Sequence, residues 1–486
     1  MGKRESGDQM ASRMEPSYKQ VKLFPYLVSE NKFIQKPMKN PVFIFAFSIM
    51  LIFNGCSSEK QWQYLVKDDL SHWEQLNGTA PFELIDGMVV GTTVLNSPNS
   101  FLCTKENYGD FILEFDTWFD PQMNSGVQIR SESRDDYQNG RVHGYQVEMD
   151  PSKRAWSGGI YDEARRGWLY TLDNNPEGKK ALRVGDWNHY RVEAIGNSIR
   201  TWINGIPCAD LIDDLTPTGF IALQVHGIGR DSSRVGLQVK WKNIRIITEN
   251  LEKYTTPYQP VIPQYSFLTN ELTERENKEG WKLLFDGSTP FGWRSAATGV
   301  FPAGGWEIID GTLTFNPATK GKGGGDIVTV DKFRNFELVV DFNYSTGANS
   351  GIKYFVDTES DGGSRASIGC EYQILDDRLN PDAQAGLAGN RTLAGLYDLI
   401  APRNKRDNGP NQWNRAIIVV NGPKVQHWLN GQLTVEYERG TPEWRELVAG
   451  SKFKNFPGFG EAEEGRILLQ DHGNLVSFKN IKIREL

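Results

Sequence analysis

The sequence predicts an all-β protein built from two copies of one β-sandwich, and three observations carry that prediction. A phrase recurs: NSGV (124–127) inside LEFDTWFDPQMNSGVQIRSE, and NSGI (349–352) inside VVDFNYSTGANSGIKYFVD. The composition favours strands, with 49 glycines, 12% aromatic residues and many short alternating apolar runs. Asn-Gly pairs in INGIP and LNGQL mark tight hairpins.

The repeat extends along most of the chain. FELIDGMVVG (82–91) matches WEIIDGTLTF (306–315), and FILEFDTWFDPQMNSGVQIRSE (111–132) matches FELVVDFNYSTGANSGIKYFVD (336–357). HGYQVEMD (143–150) matches CEYQILDD (370–377), a pairing that sets Glu371 opposite Gly144, and SGGIYDE (157–163) is similar to LAGLYDL (393–399). GDWNHYRVEAIGNSIRTWINGIP (185–207) matches NQWNRAIIVVNGPKVQHWLNGQL (411–433), FIALQVHG (220–227) matches RILLQDHG (466–473), and WKNIRI (241–246) matches FKNIKI (478–483). Order-preserving blocks of this length exclude chance, and their spacing is far beyond a solenoid period of about 20–50 residues. FILEFDTWF and FELVVDFNY read as strands, Trp202 and Trp428 each sit on a strand just before a tight turn, and NSG turns the chain between two strands. Many strands with hairpin signals predict two antiparallel sheets packed face to face.

Residues 60–247 form the first copy and 276–486 the second, with 248–275 as a proline-bearing linker that ends near a short helical stretch, ERENKEG (274–280). Upstream, Met38-Lys39-Asn40, the uncharged run VFIFAFSIMLIF (42–53) and Asn54-Gly55-Cys56 have the layout of a lipoprotein signal over 38–56, with Cys56 as the lipidated residue. The apolar run falls well short of the roughly 20 residues that span a bilayer. Residues 1–37 read as a disordered extension from an upstream start codon. The expected location is the periplasm or outer membrane of a Gram-negative bacterium, held by the lipid anchor.

The net charge of −7 and a pI near 5.6 come without a basic stripe, which argues against nucleic acid as a partner. Cys103, Cys208 and Cys370 have neither CxxC nor zinc spacing. Cys103 and Cys208 either pair after export or stand as separate buried thiols.

NSGI, EYQILD, the LNG hairpin, LQDHG and FKNIKI, in that order, resemble the 3-keto-disaccharide hydrolase family, over 62–247 and 281–486. The resemblance implies two tandem concanavalin A-like jelly-roll domains. It also implies an exported glycan-degrading enzyme that cleaves glycosides already oxidised to a ketone at sugar C3.

The residues fit that chemistry better than ordinary glycoside hydrolysis, which needs two carboxylates flanking the bond. The ExDxxE strand of jelly-roll glucanases is broken in both copies: Glu148-Met149-Asp150-Pro151-Ser152-Lys153 ends in lysine, and Glu371-Tyr372-Gln373-Ile374-Leu375-Asp376 fits no better. A 3-keto sugar has an acidified C2 proton, so a base near neutral pH and donors for the enolate oxygen suffice, with hydration of the enone after elimination. Strand alternation puts Glu371 and Gln373 on one face, and Gln146, Glu148 and Asp150 on one face, either a sugar-binding concave surface or a solvated outer one. His226 and His472 fall at equivalent places, each before a glycine. The expected acid/base pairs are Glu371 with His472 and Glu148 with His226. Gln373, Asp376 and Tyr397 are expected to support the second copy, and Gln146, Asp150, Asp162, Arg165 and Trp168 the first. Asp162, Arg165 and Trp168 read as a loop able to serve a sugar or to form a surface ion-pair cluster. Ca2+ or another divalent metal is left open, since jelly rolls often hold calcium. KGKGGGD (320–326) lacks GK[ST] and reads as a loop rather than a phosphate cradle. The chemistry requires an oxidoreductase to supply the ketone. The rival reading is a non-catalytic, lectin-like surface lipoprotein.

Overall fold

The Asp-Gly and Asn-Gly pairs fold as their chemistry demands. Asp86-Gly87 and Asp310-Gly311 have φ of 50°, 75°, 48° and 73°, and Asn204-Gly205 and Asn430-Gly431 have φ of 51°, 80°, 48° and 77°. Two successive positive φ angles make a two-residue turn whose twist matches the flanking strands, and Asn, Asp and Gly tolerate them at least cost. These turns close hairpins such as Ser198–Ile203 with Ile206–Ile212 and Lys424–Leu429 with Gln432–Glu438.

The computed structural model describes residues 62–321, 323–359 and 367–486. The proposed signal at 38–56, its lipidation residue Cys56 and the extension 1–37 lie outside the described residues. Among the described residues, the first copy has a nine-stranded sheet, one strand of which comes from the linker, and a seven-stranded one, and the second an eight-stranded and a five-stranded one. The chain is all-β in two tandem sandwiches. Helices are short: Glu274–Lys278, Asp382–Ala385 and Pro442–Ala449. None among the described residues is long and apolar enough to cross a membrane.

Period-two alternation decides which face each strand buries. In the first copy Val127 and Ile129 from Ser125–Glu132, and Tyr145 and Val147 from His143–Met149, pack against Leu113, Phe115, Val192 and Ile199 of the opposite sheet. The second copy repeats this with Ile352, Tyr354, Tyr372 and Ile374 against Leu338, Val340, Ile418 and Val425. Each fully buried aliphatic or aromatic chain contributes roughly 1.5–3 kcal/mol of transfer free energy. The same alternation leaves Gln128, Gln146 and Glu148, and in the second copy Lys353, Glu371 and Gln373, on the face turned away from the sandwich core.

Three expectations change. NSG is not itself the turn: Asn349–Val356 is a strand, and Ser125 opens the strand Ser125–Glu132, the chain having turned just before each. Tyr161 to Trp168 is not a loop but a hairpin, with Ile160–Glu163 paired to Gly167–Tyr170 around Ala164 at φ 56°. The repeat also pairs differently in the strand that bears the candidate acids. Gly126 faces Glu148 and Gln128 faces Gln146, whereas Gly351 faces Gln373 and Lys353 faces Glu371. The neighbouring strand agrees: the N–H of Glu148 donates to Gly159 O at 3.0 Å, as that of Gln373 does to Gly395 O at 3.2 Å. Glu371 therefore occupies the place of Gln146, not of Gly144, and Gln373 that of Glu148. The offset is two residues, so sequence similarity and facing were both preserved while the partners changed.

Cys103, Cys208 and Cys370 are buried free thiols, and burial pushes Cys208 and Cys370 up to about 12.

Candidate active site

The polar row of the first copy is neither packed into the core nor washed by solvent. Glu148 and Gln146 are each 3% exposed, and Gln128 and Gln224 are sealed. They bond to one another: Gln128 Nε2 donates to Gln146 Oε1 at 2.6 Å, Gln224 Nε2 to the same oxygen at 2.9 Å, and Gln146 Nε2 to Glu148 Oε2 at 3.0 Å. Asn124 Nδ2 donates to Glu148 Oε1 at 2.6 Å. Gly126 makes room for this chain of amides, since a Cβ there would lie 2.5 Å from Gln146 Cδ.

Burial raises the Glu148 carboxyl from its ordinary 4.5 to about 7. The Asn124 and Gln146 donors and the Arg154 charge pull it down, and Asp150 pushes it up. A carboxyl poised there can exchange a proton at neutral pH, the property expected of a general acid or base.

Glu148 opens onto a cleft of about 430 Å³. His226, just beyond the strand Phe220–Val225, lines it with Gln146 and Trp168. His226 Nδ1 donates to Gly227 O at 2.8 Å, which leaves Nε2 as the free ring nitrogen. Trp168 stacks edge-on against Trp156 at 4.7 Å and Tyr161 at 5.2 Å, forming an aromatic wall. The two other acids at this end of the sheet are engaged: Asp150 Oδ2 accepts from Arg154 Nε at 2.8 Å, and Glu163 Oε1 from Arg141 Nη2 at 3.1 Å.

The structure gathers Glu148, Gln146, His226 and Trp168, with Asp150 bound at the rim through Arg154. It does not bring Asp162 and Arg165 to them. Asp162 pairs in register with Tyr145, a core-facing residue, and so points to the other side of the sheet. There it accepts from Arg165 Nε at 2.7 Å and Arg166 Nε at 2.6 Å, while Arg166 Nη1 donates to Asp213 Oδ2 at 2.7 Å and Arg165 Nη1 to Thr216 Oγ1 at 2.5 Å.

The second copy places Glu371, 5% exposed, opposite Lys353, whose Nζ lies 3.7 Å from Glu371 Oε2. Burial raises the Glu371 carboxyl above its usual value, against the pull of Lys353 and Lys452. Gln373, with its amide nitrogen turned toward Glu371, donates to Oε1 at 3.1 Å. Lys452 Nζ sits over the Tyr397 ring at 3.9 Å, and Tyr397 Oη donates to Asp382 Oδ2 at 2.8 Å. His472 is exposed and reaches Glu371 only through space. Asp376 accepts from the N–H groups of Gly347 at 2.9 Å, Arg378 at 3.1 Å and Leu379 at 3.3 Å, a loop-closing role at the strand end. Among the described residues, no three His, Cys, Asp or Glu side chains converge in a group able to hold a metal ion.

Sequence reading missed Asn124, Gln224, Arg154 and Arg406. Asn124 and Gln224 were visible in the repeated NSG and LQ phrases. Arg406 had no signal in the first copy's own sequence, because it belongs to the second.

The outward sheet face of the first sandwich thus holds a buried carboxyl, raised by burial, beside an aromatic wall, a setting suited to a carbohydrate-active protein. The chain belongs to the family of 3-keto-alpha-glucoside-1,2-lyase-like domains, which it matches twice, at 53–247 and 280–484. It is 36% identical over 233 residues to a 3-keto-disaccharide hydrolase from Bacteroides thetaiotaomicron, covering 43% of this chain and 79% of that one. Two crystal structures of glycosyl-hydrolase candidates from Parabacteroides distasonis are also similar. One is 32% identical, covering 45% of this chain and 99% of that one, with a TM-score of 0.41. The other is 26% identical, covering 42% and 99%, with a TM-score of 0.32.

Proposed function

We propose that this protein cleaves glycosides carrying a ketone at C3, and that Glu148 transfers the C2 proton in the first copy. The observation that carries the reading is the Glu148 carboxyl, buried at the cleft and bonded to the amides of Asn124 and Gln146 with Arg154 no closer than 3.9 Å, while Asp150 and Glu163 beside it are bonded directly to arginines; burial raises the Glu148 carboxyl to about 7. One titrating carboxyl suits proton abstraction next to a carbonyl better than the paired carboxylates of ordinary glycoside hydrolysis.

The step balances as follows. The base takes the proton from C2, and the electron pair of that bond forms an enolate with its charge on the C3 oxygen. The enolate collapses to a C1=C2 double bond, and the bond from C1 to the departing oxygen breaks. That oxygen takes a proton from an acid, for which His226 is the candidate. Water then adds across the double bond, hydroxyl to C1 and hydrogen to C2, giving the free 3-keto sugar. Gln146 orients Glu148, and Trp168 offers an apolar wall to the pyranose.

In the second copy the candidate is Glu371, at the place that Gln146 holds in the first, with Lys353 and Gln373 beside it, Lys452 and His472 acting through space, Tyr397 on the neighbouring segment and Asp376 closing the loop at the strand end. Asp162 and Arg165 brace the hairpin that carries Trp168 rather than touching sugar. A lipid on Cys56 would hold the protein at the membrane in the periplasm or outer membrane, and an oxidoreductase must supply the ketone.

The test is release from a chromogenic 3-keto-glucoside and from the same glucoside unoxidised, run in D2O. Turnover of the keto substrate alone, with one deuterium appearing at C2 and loss of at least 100-fold in Glu148→Gln, is the expected result. Cleavage of the unoxidised glucoside would point to two-carboxylate hydrolysis. Glycan binding without turnover of either would establish the lectin-like reading.

A further inference from the structure

The first copy's cleft is not closed by the first copy. We propose that Arg406, from the second copy, completes it and holds the enolate oxygen that forms on the substrate. This inference rests on the function proposed above.

Arg406 lines the cleft together with Glu148, His226 and Trp168. Its guanidinium lies 5.5 Å from the Trp156 ring and 5.9 Å from the Trp168 ring, within reach of a cation–π contact. The charged and titratable groups it faces are Arg154, Tyr161, Glu148 and Asp150. Its backbone is fixed: Asn430 Nδ2 donates to Arg406 O at 2.8 Å. Two residues on, Asn408 Nδ2 donates to Arg166 O of the first copy at 3.2 Å and to Trp413 O of its own at 2.9 Å.

The neighbouring cation is already engaged. Arg154 lies 4.6 Å from the Trp156 ring and 5.0 Å from the Trp168 ring, but its Nε is bonded to Asp150 and its Nη2 lies 3.9 Å from Glu148 Oε1, so both its ends are held by carboxylates. Arg406 has no carboxylate within ion-pair distance among the described residues. Two guanidinium groups on one pair of rings repel, and such crowding is relieved when an anionic oxygen sits between them and the carboxyl. An enolate is an oxygen of that kind, and a fixed cation aimed at developing charge is the arrangement that lowers such a barrier.

The second copy reaches a similar balance by other means. Lys353 stands beside Glu371 on the adjacent strand, and Lys452, seated over the Tyr397 ring, acts on it through space. The first copy has neutral Gln128 where Lys353 would be. Each cleft thus has a cation of its own near the buried carboxyl, Arg154 in the first and Lys353 in the second, and the first adds Arg406 from its neighbour.

The experiment uses the full chain with Arg406→Ala, Arg406→Lys and Glu148→Gln, assayed on the chromogenic 3-keto-glucoside over pH 5–9. Arg406→Ala should lose roughly 100- to 1000-fold in kcat with a smaller change in KM, as removal of one oxyanion donor does. Its kcat/KM profile should move to higher pH, since the Glu148 carboxylate loses a nearby cation. Arg406→Lys should recover part of kcat and return the profile toward that of the wild type. An Arg406→Ala enzyme within threefold of wild type in kcat, alongside an inactive Glu148→Gln, would overturn this inference and leave the function standing. Loss of activity in Arg406→Ala with an unmoved pH profile and no rescue by lysine would overturn it in favour of a merely structural loop. Failure of the wild type to turn over the keto substrate would remove the function and this inference together.

Discussion

Glu148 sets the pH behaviour of the first copy. Its folded carboxyl stands near 7, and its unfolded value is 4.5. The folded state therefore binds more protons than the unfolded one between these values, and stability is lost as pH rises through that window. Glu148→Gln cannot titrate. Its stability relative to wild type should grow from pH 4.5 to 7 and then level off, by up to about 3 kcal/mol. Denaturant midpoints for both proteins at pH 4.5, 6 and 8 would check this, and a constant difference across all three would show that the carboxyl is not raised. The residue scale is also where sequence reading was most limited. The alternation of GYQVEMD was enough to place Gln146 and Glu148 on one face, because a strand has a fixed period. It could not say that Asp162 faces the other way, since that depends on the pairing of Tyr145 with Asp162 between the strands His143–Met149 and Ile160–Glu163. Nor could it tell His472, exposed, from His226, lining a cleft.

Among the elements, the hairpins were the most legible, because Asn-Gly and Asp-Gly leave little choice of turn. The strand pair carrying the site was less so. Its register rests on where Gly126 and Gly351 sit, and a glycine there leaves few clues about its partner. Those glycines are the sensitive points of the element. Gly126→Ala would bring a Cβ to 2.5 Å from Gln146 Cγ and Cδ, and Gly351→Ala would bring one to 2.3 Å from Glu371 Oε1. Neither glycine requires a positive φ, so the cost is overpacking, about 1–3 kcal/mol. The larger effect should fall on function: Gly126→Ala should lower kcat at least tenfold by displacing Gln146 from Glu148. Parallel measurement of Tm and kcat would decide it, a normal kcat with a lowered Tm being the adverse result.

At the scale of the whole molecule, the linker is a bound strap. Tyr265–Ser266 adds in parallel to Ile206–Ile212 of the first copy. Arg415 of the second copy donates to Ser266 O at 2.8 Å and lies 3.7 Å from the Phe267 ring, while gripping Asp341 at 2.6 and 2.8 Å. Downstream, Glu276 pairs with Lys482, both buried. Proline and polar composition suggested only that this segment was not a regular element, because the contacts that fix it come from residues far along the chain. Arg415→Met would leave Asp341 buried with Asn480 as its remaining donor. The expected cost is about 3–5 kcal/mol. Calorimetry should show the main unfolding transition at lower temperature, and limited proteolysis should cut first within 255–268. Unchanged proteolysis there would mean that the strap does not depend on Arg415.

The two-residue offset between the strands bearing Glu148 and Glu371 has a consequence for how such a protein diversifies. A shift of one residue would turn the apolar row outward and be lost with the fold. A shift of two exchanges the polar partners and leaves every core position apolar. After a duplication, one half can thus trade its carboxyl for an amide, and its amide for a carboxyl, through a paired gain and loss in the adjoining loops. The other half's cleft and core are untouched by such a change, so one site can vary while its neighbour stays intact.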